Sequence, residues 1–82
     1  MKVSLSDMAE KQYAKLPKSD RQKIDRKIEL LQIKPQSGKK LKGELSDGYS
    51  LKAWPYRIIY HIDTFKKIVW ITSILHRQRA YK

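Results

Sequence analysis

Between Tyr49 and Leu75 the residues sort by a period of two, and that alternation narrows the fold more than any other feature of the chain. Tyr49 to Trp54 alternates, Tyr56 to Ile62 alternates, and Lys67 to Leu75 is dense in β-branched and aromatic residues. Successive side chains of a strand point to opposite faces, so such runs predict half-buried strands. Pro55 stands at the first junction, where its missing N–H breaks no ladder. Asp63-Thr64-Phe65-Lys66 supplies a hairpin loop at the second. Ile68-Val69-Trp70-Ile71 shows little polar alternation, which predicts a central strand covered on both sides for part of its length.

The first half of the chain carries the other period. Lys2-Val3-Ser4-Leu5 reads as a short opening strand with Val3 and Leu5 on one face. Ser6 or Asp7 then offers an N-cap, and Asp7 with Glu10 has the spacing of a capping box. Ala9, Tyr13 and Leu16 fall on one helical face. Pro17 ends that helix or sits near the start of the next. Ile24, Ile28 and Leu31 repeat the spacing, which predicts a second helix over 18–32 with Arg21, Lys23, Arg26 and Lys27 turned outward or toward a partner. From Lys34 to Gly48, Pro35, Gly38, Gly43 and Gly48 punctuate a segment loaded with Lys39, Lys40 and Lys42. It reads as a basic loop that Leu41 and Leu45 anchor to the core. The expected fold is α+β: an N-terminal strand and a helical hairpin packed on a twisted antiparallel β-sheet, as one domain over 1–82.

Charge narrows the partners. Nineteen Lys+Arg against eight Asp+Glu give a formal net charge of +11. Nucleic acid is the commonest partner for such a balance, because neutralising phosphates releases counterions. The cations are spread over several elements and do not stripe one amphipathic helix, which argues against a membrane surface. The longest apolar run, around Ile68 to Leu75, is far below the roughly 20 residues of a membrane span. No charged-then-apolar segment opens the chain, and the expected setting is cytoplasmic. Without cysteine there is no disulfide and no thiolate nucleophile.

Strand parity sorts those cations. Tyr56, Ile58, Tyr60 and Ile62 suit the helix-covered face, as do Tyr49, Leu51 and Ala53. Arg57, Ile59 and His61 then belong on the open face with Ser50, Lys52 and Trp54. Cations beside an aromatic ring suit an RNA strand: the cations meet phosphates and the ring offers stacking. The closing His76-Arg77-Gln78-Arg79-Ala80-Tyr81-Lys82 leaves the third strand and can lie beside Arg57 and Lys52. Lys39, Lys40, Lys42, Ser50, Trp54 and Arg79 are the expected RNA-binding residues around this groove.

Several stretches, in this order, resemble the RelE/ParE toxins of bacterial type II toxin–antitoxin systems. They are Leu41-Lys42-Gly43, Tyr49-Ser50-Leu51-Lys52, Tyr56-Arg57-Ile58-Ile59-Tyr60 and His76-Arg77-Gln78-Arg79-Ala80-Tyr81. Ala9-Glu10-Lys11-Gln12 and Lys15-Leu16-Pro17 are similar to that family's first helix. The resemblance implies two helices against an antiparallel sheet and a cognate RelB-like antitoxin that wraps the toxin. Nuclease members cut messenger RNA on the ribosome, using the ribose 2′-OH as nucleophile and leaving a 2′,3′-cyclic phosphate. ParE members share the fold, poison DNA gyrase and lack the nuclease set. By this resemblance Lys52 matches one of two strand lysines, and Ser50 stands where the other belongs. Arg57 matches the arginine that binds the scissile phosphate, Arg77 the C-terminal arginine, and Tyr81 the late tyrosine that orients substrate.

Cleavage by an internal 2′-OH needs a base for that hydroxyl, charge stabilisation at phosphorus, and an acid for the leaving 5′-oxygen. Arg57 and Arg77 suit the phosphate, since guanidinium is planar and always charged. Lys52 serves as base where neighbouring cations depress its pKa. His76 is the more ordinary proton shuttle near neutral pH. His61 ranks below it, and Glu44 reads as a solvated charge. No Asp, Glu or His set has metal-ligand spacing, so the expected chemistry needs neither metal nor cofactor.

Overall fold

A computed structural model describes residues 1–41 and 48–76. The elements run β1 (Lys2–Leu5), α1 (Asp7–Ala14), α2 (Lys18–Ile33), a 3-10 turn (Pro35–Ser37), β2 (Lys39–Lys40), β3 (Gly48–Ala53), β4 (Tyr56–Asp63) and β5 (Ile68–His76). The strands form one five-stranded sheet in the order β1-β5-β4-β3-β2. Three of its four pairings are antiparallel, but β1 runs parallel to β5. The sheet is therefore mixed where an antiparallel one was expected. Its extra strand is β2, which pairs Lys39 with Ser50 and Lys40 with Tyr49 inside the segment expected to be a loop.

The helix period was legible because packing enforces it. Ala9, Ile24 and Leu31 are fully buried against Ile58, Tyr60, Val69 and Ile71, with Tyr13, Leu16 and Ile28 packed around them. Each large aliphatic side chain removed from water contributes roughly 1.5–3 kcal/mol, which sets the sheet face that the helices cover. Pro17 occupies the N-cap position of α2. Among the described residues no helix is long and apolar enough to cross a membrane.

Ser6 makes the corner between β1 and α1. Its N–H donates to the Ile71 carbonyl at 2.9 Å, and its hydroxyl donates to the Thr72 carbonyl at 2.9 Å. The same hydroxyl accepts the Ala9 N–H at 3.1 Å, so Ser6 is the N-cap and not Asp7. The anticipated Asp7–Glu10 box does not form, because the position that the cap bonds is held by Ala9. Beyond Ser6 the edge of β5 is continued by α1: the Ile74 N–H donates to Gln12 Oε1 at 2.7 Å.

One irregularity redirects the end of β5. Ile59 pairs with Ser73 and Tyr60 with Ile71, which leaves Thr72 as an extra residue in a β-bulge. The Thr72 hydroxyl donates to the Ile59 carbonyl at 3.2 Å across this step. An unbroken period of two from Val69 and Ile71 would put Ser73 and Leu75 toward the helices. The bulge reverses that parity: Ile74 is buried, and Leu75 instead faces Arg57 across the ladder.

Candidate nucleic-acid interface

Lys52 and Arg57 are direct cross-strand partners on β3 and β4, on the sheet face away from the helices. Side chains of directly opposed residues start about 4.5–5.5 Å apart at Cβ, so two cations share one small area. Lys39 on β2 opposes Ser50 and takes the same face. Around them lies an open cleft of 730 Å³, lined by Lys27, Lys39, Lys40, Lys52 and Arg57 together with Ser37, Gly38, Leu41, Ser50 and Leu51. Five cations and no carboxylate border it among the described residues. Cations grouped along one cleft focus a positive potential that draws anions toward it.

The cleft opens where β2 stops. Only Ser50 and Tyr49 of β3 are covered by β2. Its floor therefore runs from the open face, past Lys52, to Lys27 on α2. Lys27 was assigned no site role from the sequence. A signal was present: it falls three residues after Ile24 and four before Leu31, a lysine inside an apolar stripe.

Gly38 was passed over as well, and it places the cleft's outer wall. Its N–H donates to Tyr60 Oη at 2.9 Å, and that hydroxyl donates to the Pro35 carbonyl at 2.8 Å. A Cβ at position 38 would lie 2.6 Å from Tyr60 Oη and 3.0 Å from the Ser50 carbonyl oxygen. Tyr60 is fully buried and stacks on Tyr49, with ring centroids 5.3 Å apart. Burial pushes the Tyr60 phenol above its ordinary value, the Gly38 N–H pulls against that, and Tyr49 adds to the rise.

The remaining expected residues scatter. His76 opposes Tyr56 in the ladder, and its ring meets that tyrosine edge-on at 5.4 Å. Tyr56 in turn donates to Asp20 Oδ2 on α2 at 2.7 Å, so this pair lies on the helix-covered face. The bulge at Thr72 thus carries His76 to the opposite side of the sheet from Lys52 and Arg57, which corrects its expected place beside them. Burial, then the Asp20 hydrogen bond, raise the Tyr56 pKa. His61 is exposed and opposes Gly48 and Trp70, four residues along β4 from Arg57, about 13 Å at the rise of a strand. It borders a separate hollow with Lys40, Tyr49 and Phe65. Trp54 is 64% exposed at the β3–β4 turn and is not part of the cleft lining. Lys42, Glu44, Arg77, Arg79 and Tyr81 lie outside the described residues.

A family profile described as "ParE toxin of type II toxin-antitoxin system, parDE" matches residues 3–81. A search of curated proteins returns no match. Among solved structures, the toxin–antitoxin complex RelBE2 from Mycobacterium tuberculosis is similar at 28% identity over 93% of this chain and 96% of that chain, with a TM-score of 0.85. The isolated E. coli RelE toxin is similar at 24% identity over 92% and 82% of the two chains, TM-score 0.79. The YoeB/ParE toxin from Agrobacterium tumefaciens shares 17% identity over 93% and 98%, TM-score 0.81. The last two likenesses speak to the fold alone.

Proposed function

The chain belongs to the RelE/ParE superfamily of toxins of type II toxin–antitoxin systems, and from that premise we propose that it is a ribosome-dependent endoribonuclease that cleaves messenger RNA. One observation carries the reading: five cations converge on one cleft, with Lys52 and Arg57 as cross-strand partners in its floor and no carboxylate among its described lining residues. A bent RNA backbone brings consecutive phosphates close together, and such a cluster offsets their repulsion.

In this reading Arg57 holds the scissile phosphate by fork-like hydrogen bonds. Lys52 stands beside it and takes the 2′-OH proton or stabilises the charge that develops at phosphorus. The 2′-oxygen forms a bond to phosphorus as the bond to the 5′-oxygen breaks. That oxygen leaves as a hydroxyl with a proton drawn from solvent water, the 2′-OH proton passes through Lys52 to solvent, and a 2′,3′-cyclic phosphate remains. His76 has no part here, since it sits across the sheet. Arg77 and Tyr81 are assigned by the family pattern as phosphate ligand and stacking residue, with Arg79 as a further RNA-binding side chain. Trp54, exposed at the β3–β4 turn and outside the cleft lining, is a stacking ring for RNA that extends beyond the cleft. The ribosome supplies orientation, worth about 7–11 kcal/mol in well-organised cases, so a sparse acid–base set suffices. A RelB-like antitoxin is the expected inhibitor; the RelBE2 complex supports this partner.

A second reading has its own support. The matching profile is that of ParE toxins, and Ser50 stands where nuclease relatives carry lysine. On that reading the protein inhibits DNA gyrase and performs no chemistry, or binds RNA without cutting it. Primer extension on a translated message separates the readings. Purified toxin should yield ribosome-dependent breaks that fall by about 10²–10³ in Arg57→Ala. Intact message with inhibited supercoiling by gyrase would replace the nuclease reading with the ParE one.

A further inference from the structure

The cleft's outer wall is too short to hold itself. β2 has two residues, and a strand pair of that length contributes little alone. The Leu41 N–H ties its far end to the Gly48 carbonyl at 2.9 Å, and the turn before it anchors the end that carries Lys39. One hydroxyl, Tyr60 Oη, closes that turn at both ends by donating to the Pro35 carbonyl and accepting the Gly38 N–H. Gly38 is adjacent to Lys39, and the space a side chain would need there is filled by Tyr60 and the Ser50 backbone. The tyrosine ring also stacks on Tyr49, whose backbone faces Lys40 across the ladder.

We propose that Tyr60 is a positioning residue for the cleft: its hydroxyl, acting through Gly38, fixes where Lys39 presents its ammonium to a bound RNA phosphate. The proposal rests on the cleft being the RNA seat. The ring of Tyr60 belongs to the core beside Ile71, whereas the hydroxyl reaches the turn. Tyr60→Phe therefore keeps the packing and removes the clasp. Lys39 then explores more positions and contributes less to binding.

The test uses the full chain, a short fluorescent single-stranded RNA, and a double-mutant cycle. In the wild-type background Lys39→Ala should weaken binding about fivefold, the order expected when one phosphate goes unneutralised. In Tyr60→Phe the same change should cost less than about twofold, because Lys39 is already unfixed. Lys66→Ala, on the β4–β5 loop, should show no such coupling. Amide exchange at Gly38 and Lys39 should quicken at least about tenfold in Tyr60→Phe, beyond any change at Ile58 or Ile71. Should Tyr60→Phe not fold, Gly38→Ala strains the same hydrogen bond from the other side and enters the same cycle. An equal cost of Lys39→Ala in both backgrounds, with Lys52→Ala and Arg57→Ala still weakening binding, overturns the proposal alone. If Lys39, Lys52 and Arg57 can all be replaced without loss of RNA affinity, the RNA reading of the cleft falls and takes the proposal with it.

Discussion

Arg57 and Lys52 lie side by side because β3 and β4 pair in a register that puts both on the uncovered face. Losing a preorganised charge donor typically lowers a rate by about 10²–10³. Arg57→Ala should therefore reduce ribosome-dependent mRNA cleavage by that order, measured by primer extension, and Arg57→Lys should recover part of it. Ser50→Lys tests the missing family lysine directly. The cleavage rate should rise in this variant, and an unchanged rate would mean that Lys39, which opposes Ser50, already fills the need. Gly38 is a test of packing instead of charge. Gly38→Ala should destabilise by about 1–3 kcal/mol in urea melts, since the added methyl meets the buried Tyr60 and backbone, neither of which can retreat cheaply.

At the scale of elements, the corner at Ser6 and the bulge at Thr72 act together. Both lie where β1 ends and α1 takes over the edge of β5. Ser6→Ala removes a helix cap and leaves the Thr72 carbonyl without its donor, so a loss of about 0.5–2 kcal/mol or somewhat more is expected by chemical denaturation. The strands and both helices were legible in sequence, because a buried face imposes its period on the residues that make it. Strand β2 was not. Two lysines flanked by glycine and proline signals read as a loop, and it is the ladder to Ser50 and Tyr49, held between the clasp at Tyr60 and the Leu41–Gly48 hydrogen bond, that makes them an edge strand. His76 was expected with the closing segment beside Arg57 and Lys52, and the ladder instead continues through it opposite Tyr56. The bulge at Thr72 sets which face that residue takes, and no local pattern marks it.

For the molecule as a whole, the +11 charge bears on the proposed RNA binding, and three tyrosines bear on stability at alkaline pH. Single-stranded binding weakens with salt by a slope of about −0.7 for each phosphate neutralised. About three or four phosphates neutralised by Lys39, Lys40, Lys52 and Arg57 predict a slope of about −2 to −3 in a salt titration with short RNA. Replacing Lys52 should flatten it by about one phosphate's share. Tyr13, Tyr56 and Tyr60 all have their pKa raised above the ordinary 10.0: Tyr13 chiefly by its hydrogen bond to Asp25, the others chiefly by burial. A phenol whose pKa is raised by folding keeps its proton in the native state after the unfolded chain has released it. Its stabilising share is whole below pH 10.0 and is lost as pH climbs above that value. Urea melts across this window should show stability falling with pH, less steeply in Tyr60→Phe.

The sequence by itself determined the α+β class, the faces of β3 and β4, and the placing of Lys52 and Arg57 on one open face of adjacent strands. Those features follow from local periods that burial enforces residue by residue. Tertiary structure alone decided that β1 joins the sheet in parallel, that Lys27 reaches the cleft from the helix layer, and that His76 turns away from it. Each of these depends on which distant segments meet, through a bulge, a crossover or a sheet edge left uncovered, and no short window of sequence records such meetings.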